Sequence, residues 1–162
     1  MRWELITRFE VLKRGSHSRA VKSFTGAEDF FKDNFPGNPR VPEPFFIEMI
    51  AQAGGVLFGL GLDFKKEVIL AKIEDVNVYL DVPPPCDLVV ETQIEDERED
   101  GAWVAGHVSW NGRRVMEGRV LLAAVDVLIE GKNNIVFNEH FMKSYDILGV
   151  ARRSEDVRSA VS

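Results

Sequence analysis

Cysteine is nearly absent from this chain. Cys86 is the only one in 162 residues, which excludes an intrachain disulfide and a Cys-based zinc site. A reducing, cytoplasmic setting is compatible with that usage. Clustered cations are also missing. Lys and Arg number 20 against 26 Asp and Glu, for a net charge of −6. The basic residues are scattered, and the pair Arg152-Arg153 lies beside Glu155 and Asp156. Phosphate binding needs a basic patch, so a nucleic-acid surface is excluded. Met1-Arg2-Trp3-Glu4 lacks an apolar segment and a small-residue cleavage site, so no signal peptide is read. Internal repeats and low-complexity tracts are absent. The longest apolar stretch, residues 45–62, approaches the length of a membrane span. Glu48 and Gln52 fall inside it, and Gly54, Gly55 and Gly59 break its side-chain surface. A charge within a span is costly, so this is read as a buried core helix.

What is present fits one domain with a substantial core, at 45% hydrophobic residues. Residues 3–12 and 17–25 read as strands around a Gly15-Ser16 turn. Residues 27–33 carry a short helical pattern. Four prolines, Pro36, Pro39, Pro42 and Pro44, then stiffen residues 34–44 and forbid regular structure there. From 44 to about 61 the pattern is helical and apolar on almost every face, with Pro44 suited to the first turn. Every later segment to residue 127 reads as strand: 68–80, 87–98, 102–110 and 113–127. Asn111-Gly112 between the last two is a strong hairpin signal. Beyond Glu130, Asn133, Asn134 and Asn138 read as loop, residues 139–150 as a short helix, and 152–162 as a solvated tail.

Periodicity alone gives an α+β chain with an antiparallel sheet. A helix that is apolar all round needs a sheet that curls about it. The expected architecture is therefore a hotdog fold over residues 1–127, a curved antiparallel sheet wrapped around a long central helix, with a C-terminal extension over 128–162.

Two features carry candidate chemistry. Glu48 sits among Phe45, Phe46, Ile47, Met49 and Ile50, with Gln52 one turn later on the same face. A carboxylate in apolar surroundings is costly unless it is paired, and such groups are candidate catalysts. Equally open is a bland reading in which Glu48 faces a solvent gap or pairs with an arginine. The second feature is Phe35-Pro36-Gly37-Asn38-Pro39, a rigid loop before a helix start, whose N–H groups could hold a carbonyl oxygen. A plain structural turn is the alternative there.

Residues 34–52 resemble the signature of the 3-hydroxyacyl-acyl-carrier-protein dehydratases of fatty acid synthesis. That signature runs His-Phe-Pro-Gly-x-Pro-x-x-Pro-Gly, then four residues, then an acid on the central helix followed by Ala-x-x-Gln or a close variant. Phe35, Pro36, Gly37, Pro39, Pro42, Glu48 and Gln52 match in place. The similarity continues weakly through Leu70-Ala71-Lys72-Ile73, Pro85-Cys86-Asp87 and the Asn111-Gly112 hairpin, over roughly residues 5–125.

The resemblance implies a hotdog dimer as working unit, with trimers of dimers as a further family assembly. It implies a 3-hydroxyacyl group on the phosphopantetheine of acyl carrier protein or CoA, dehydrated to a trans-2-enoyl thioester with no cofactor or metal. The site residues it implies are Glu48 and the position of Asn34 as catalytic groups, with Phe35, Gly37, Pro42, position 43 and Gln52 around the substrate. An acid from one subunit and a histidine from the other would face the substrate.

Two positions depart from the signature. The family histidine is Asn34, whose amide cannot take up an α-proton. The glycine after Pro42 is Glu43, which adds bulk and negative charge where an oxyanion would develop. Both changes strike the chemistry and spare the scaffold. They leave two roles open on one fold: a dehydratase-like thioester binder, or a thioesterase in which Glu48 activates water oriented by Asn34. His17, His107 and His140 lack the spacing to replace the missing histidine.

Overall fold

The structure, a computed structural model, describes residues 4–126 and 136–156. The Asn133-Asn134 loop and the end of the tail expected from the sequence lie outside those residues. The described chain holds strands β1 (Arg8–Lys13) and β2 (His17–Phe24), helices α1 (Phe30–Asp33) and α2 (Glu43–Gly61), and strands β3 (Glu67–Val78), β4 (Cys86–Arg98), β5 (Gly101–Trp110) and β6 (Arg113–Val125). Helices α3 (Glu139–Ser144) and α4 (Ile147–Asp156) follow. The strands form one antiparallel sheet in the order β1-β2-β4-β5-β6-β3.

The sheet curls about α2, which contacts β2 through β6. The helix is long and apolar enough to cross a bilayer, but it is the interior of this fold, with Phe46, Met49, Ile50, Leu57 and Phe58 almost fully buried. Small residues let it come close to the strands. A Cβ at Gly54 would meet Val104 Cγ1 at 2.9 Å, and one at Gly106 would meet Ile50 Cγ2 at 2.7 Å. Alternation along β5 follows from this packing: Ala102, Val104, Gly106 and Val108 are buried against the helix, and the residues between them are half-buried on the other face. The Asn111-Gly112 turn takes positive φ at both residues, 50° and 74°, as a tight hairpin requires.

Two sequence expectations are corrected. The helix expected over 139–150 is two helices, broken where Asp146 takes a φ of 46°. Residues 152–156, expected as solvated tail, belong to α4. That helix has a buried side, Ile147, Val150 and Ala151, packed on β1. The charged run Arg152-Arg153-Ser154-Glu155-Asp156 masked this from composition. A further difference lies at β1, which begins at Arg8, while Leu5 and Ile6 run in as a buried lead-in without regular strand structure.

Candidate functional site

Glu48 and Gln52 lie one turn apart on α2 and share one face of the helix. Gln52 Nε2 donates to Glu48 Oε1 at 2.9 Å. The amide's orientation is set from its other end: Leu5 N–H, which can only donate, reaches Gln52 Oε1 at 3.0 Å. The amide NH2 is therefore turned to the carboxylate. Among the described residues Glu48 thus pairs with this neutral amide and not with an arginine.

The pair opens on a cavity of about 390 Å3. Its walls are Ile6 and Phe9 from the N-terminal lead-in and β1, Val68 and Leu70 from β3, and Leu122 from β6. Gly55 and Val56 of α2 form its floor beside Ala51, and Phe137, Phe141 and Tyr145 close it from the C-terminal segment. The wall is mostly hydrocarbon, and the carboxylate and amide are two of its few polar groups. Sequence reasoning missed the N-terminal and C-terminal contributions. The signal for the second was the spacing of Phe137, Phe141 and Tyr145, four residues apart on one helical face.

The proline-rich loop is elsewhere. Asn34 ends α1 and is exposed, and its side-chain Nδ2 donates to Phe30 O at 2.8 Å. Phe35 takes a φ of 54° and lies under the Arg40 guanidinium, 3.9 Å from its ring centroid. Gly37 takes a φ of 80°, and Asn38 N–H closes the turn onto Phe35 O at 2.9 Å. Arg40 also pairs with Asp81 at 3.0 Å, and Val41 N–H donates to Val82 O at 2.9 Å, which fixes the loop to the segment after β3. Pro42 is the N-cap of α2, Glu43 its exposed first residue, and Pro44 stands in the first turn. Asn34, Phe35, Gly37, Pro42 and Glu43 do not line the Glu48 cavity. Five positions at 3.6 residues per turn put Glu43 about 140° round the helix from Glu48. One chain thus brings together Glu48 and Gln52 but turns its loop in another direction.

No histidine stands in for the missing one. His107 Nε2 meets Glu91 Oε2 at 3.1 Å on the outer face of the sheet. His17 is exposed beside Ser16, at 2.9 Å, and His140 is exposed on α3. Cys86 is buried, and burial pushes its thiol up to about 11, with Asp87 and Glu28 adding to the effect. Among the described residues, no group of three His, Cys, Asp or Glu could hold a metal ion.

A curved antiparallel sheet around a buried central helix is a hotdog fold, and solved structures share it. The chain superposes with a TM-score of 0.63 on "The Dehydratase Heterocomplex ApeI:P from Xenorhabdus doucetiae", at 19% identity over 76% of this chain and 84% of that one. It superposes with a TM-score of 0.60 on smu.793 from Streptococcus mutans bound to acetyl CoA, at 10% identity over 78% of this chain and 93% of that one. No protein-family model matches the chain. Curated relatives define it more narrowly. It is 32% identical over 123 residues to the 3-hydroxyacyl-acyl-carrier-protein dehydratase FabZ of Thermomicrobium roseum, covering 75% of this chain and 83% of the relative. It is 31% identical over 120 residues to that of Caldicellulosiruptor bescii, covering 74% and 86%. The chain belongs to the 3-hydroxyacyl-acyl-carrier-protein dehydratase family.

Proposed function

We propose that this protein binds 3-hydroxyacyl and acyl thioesters carried on the phosphopantetheine of acyl carrier protein or CoA, in cytoplasmic fatty acid or related acyl-chain metabolism. The observation that carries the reading is the Glu48–Gln52 pair held at one side of a cavity whose wall is mostly hydrocarbon. An acyl chain suits the wall, and the pair is the only part of the family's acid–base machinery that faces it. Removing water from a 3-hydroxyacyl thioester needs a base for the α-proton and an acid for the leaving hydroxyl. Glu48 can serve one of these. Asn34 cannot serve the other, because its amide neither gains nor loses a proton in the useful range. Dehydration by this chain alone is therefore weak.

The working unit in this reading is a homodimer joined along β3, whose outer edge has no neighbouring strand among the described residues. Ile69, Leu70, Ile73, Val76 and Val78 are exposed along it. Two-fold pairing there is the arrangement that could bring the partner's loop, with Asn34 and the helix-start N–H of Glu43, towards Glu48. The neighbour from Xenorhabdus doucetiae is a dehydratase heterocomplex. A mixed pair with a histidine-bearing relative would likewise supply what Asn34 lacks. A second reading, thioester hydrolysis, follows from the same pair: it asks for one base and an oriented water, and Gln52 is placed to orient it.

One assay separates these outcomes. Crotonyl thioester hydration and thiol release are followed in parallel for wild type, Asn34→His and Glu48→Gln. Asn34→His should raise hydration by roughly 100-fold, the usual scale of a restored general base. Rapid hydration by the wild type would sink the weak-dehydratase reading. Thiol release that is lost in Glu48→Gln would select hydrolysis.

A further inference from the structure

The C-terminal segment has no part in the reaction just described, yet Phe137, Phe141 and Tyr145 line the cavity. We propose that Phe141, backed by Phe137 and Tyr145, is the end wall of the acyl pocket and sets the length of acyl chain the site accepts. This rests on the thioester reading above.

The wall is built as a stack. The Phe137 and Phe141 ring centroids are 6.0 Å apart, and those of Phe141 and Tyr145 are 4.8 Å apart. Each end of the stack is tied to the hotdog core. Phe137 is buried over α2, where a Cβ on Gly59 would meet its ring at 2.9 Å, and it meets Phe64 edge-on at 5.0 Å. Tyr145 OH donates to Ile6 O at 3.1 Å, and its ring meets Phe9 edge-on at 6.1 Å. The backbone between is pinned as well. Val136 N–H donates to Glu67 Oε2 at 3.3 Å, and Phe141 N–H donates to the N-capping Asn138 Oδ1 at 3.0 Å. Phe141 itself is only half-buried and lines the cavity, while its neighbours hold it from both sides. A side chain locked by packing in this way is a fixed stop rather than a fluctuating cover.

The same tie reaches the polar pair. Leu5 N–H holds Gln52, and the next residue, Ile6, carries the carbonyl that accepts from Tyr145. The polar pair and the aromatic wall are therefore anchored to one short backbone segment. A cavity of about 390 Å3 lies at the small end of the range for ligand sites, which spans roughly 300–1,000 Å3. The substrate class that fits is an apolar acyl chain of short to medium length, its thioester towards Glu48 and its methyl end against Phe141.

The test is calorimetric binding of a saturated acyl-pantetheine series, from acetyl to dodecanoyl, to the full-length wild type, Phe141→Ala and Phe141→Trp. Wild-type affinity should climb about fourfold per methylene, the worth of a buried CH2, and stop climbing before dodecanoyl. Phe141→Ala should carry the climb roughly two methylenes further, as a truncated ring leaves that much space. Phe141→Trp should end it earlier, and it decides alone if the alanine variant does not fold. If all three profiles coincide while thioesters bind, the end-wall proposal is overturned and the thioester reading stands. If no thioester of any length binds the wild type, the thioester reading falls and takes the proposal with it.

Discussion

The sheet has two outer edges, and they are finished in opposite ways. At β1 the edge is covered: α4 packs on it, and Ser154 Oγ accepts from Leu12 N–H at 2.9 Å while donating to Val150 O at 2.8 Å. At β3 the edge carries Ile73 at 47% exposure and Ile69 at 48%, and from Ile69 to Val78 only Glu74 is even half-covered. Open apolar edges invite pairing with another chain, and proteins normally block them with charge, bulges or a covering element. Among the described residues, a covering element lies on the β1 side only. The difference is that α4 closes the β1 edge, while the β3 edge, broken by bulges at Leu70/Lys72 and Glu74/Asn77, keeps its apolar side chains exposed and is the edge that the proposed homodimer would use. β3 also walls the Glu48 cavity through Val68 and Leu70, so a chain that paired there would lie beside the site.

The comparison breaks most sharply at the covered edge. Ile147, the first residue of α4, is fully buried, and Ile147→Asp would place an unpaired carboxylate there. The expected cost is roughly 3–5 kcal/mol, the scale of an uncompensated buried charge. Urea unfolding should give a much lower midpoint, and freeing α4 would expose the β1 edge, so light scattering should detect aggregates at low denaturant. A midpoint within error of wild type would show that α4 does not hold that edge.

At the open edge the expected change is in assembly. In the homodimer proposed above, Ile73→Glu would bring two carboxylates near each other across the paired edge, a like-charge contact that should weaken self-association by about a hundredfold. Sedimentation should move towards the 18.3 kDa of a single chain. The urea midpoint measured at low concentration should stay near that of wild type, because Ile73 is exposed in the single chain. Unchanged sedimentation would place the self-association surface elsewhere.

The two edges were not equally legible in the sequence. The strand run of β3 was plain from its alternation, and so was the long helix, whose apolar residues cover almost every face. Glu48 and Gln52 stood out because polar groups inside such a helix demand a reason, and their four-residue spacing already put them together. The covering of β1 was hidden. α4 presents a buried stripe of Ile147, Val150 and Ala151 beneath five consecutive polar residues, and the strong charge of that run dominates its composition. The loop presented a different difficulty. Its prolines announce rigidity, but direction is a tertiary property, and no spacing rule tells that Asn34 turns back to cap α1 rather than facing Glu48. The walls of the cavity come from segments more than a hundred residues apart, so only the folded chain reveals that Tyr145 and Ile6 meet.

The smallest effect sharpens the contrast. Ser154→Ala removes the hydroxyl that takes up Leu12 N–H but leaves α4 in place. One hydrogen bond to a partly buried N–H should be worth about 1 kcal/mol, or about 2–4 °C in Tm for a chain of this size. Cys86 reports on whether such a loss stays local. Its thiol, pushed up to about 11 by burial, is ionised at pH 8 in only about one molecule in a thousand. Labelling by a thiol reagent should therefore be slow in wild type, in Ser154→Ala and in Ile73→Glu, and fast in Ile147→Asp, where the fold opens. Fast labelling in Ile73→Glu would mean that the β3 edge is not an open surface but part of what holds this chain folded.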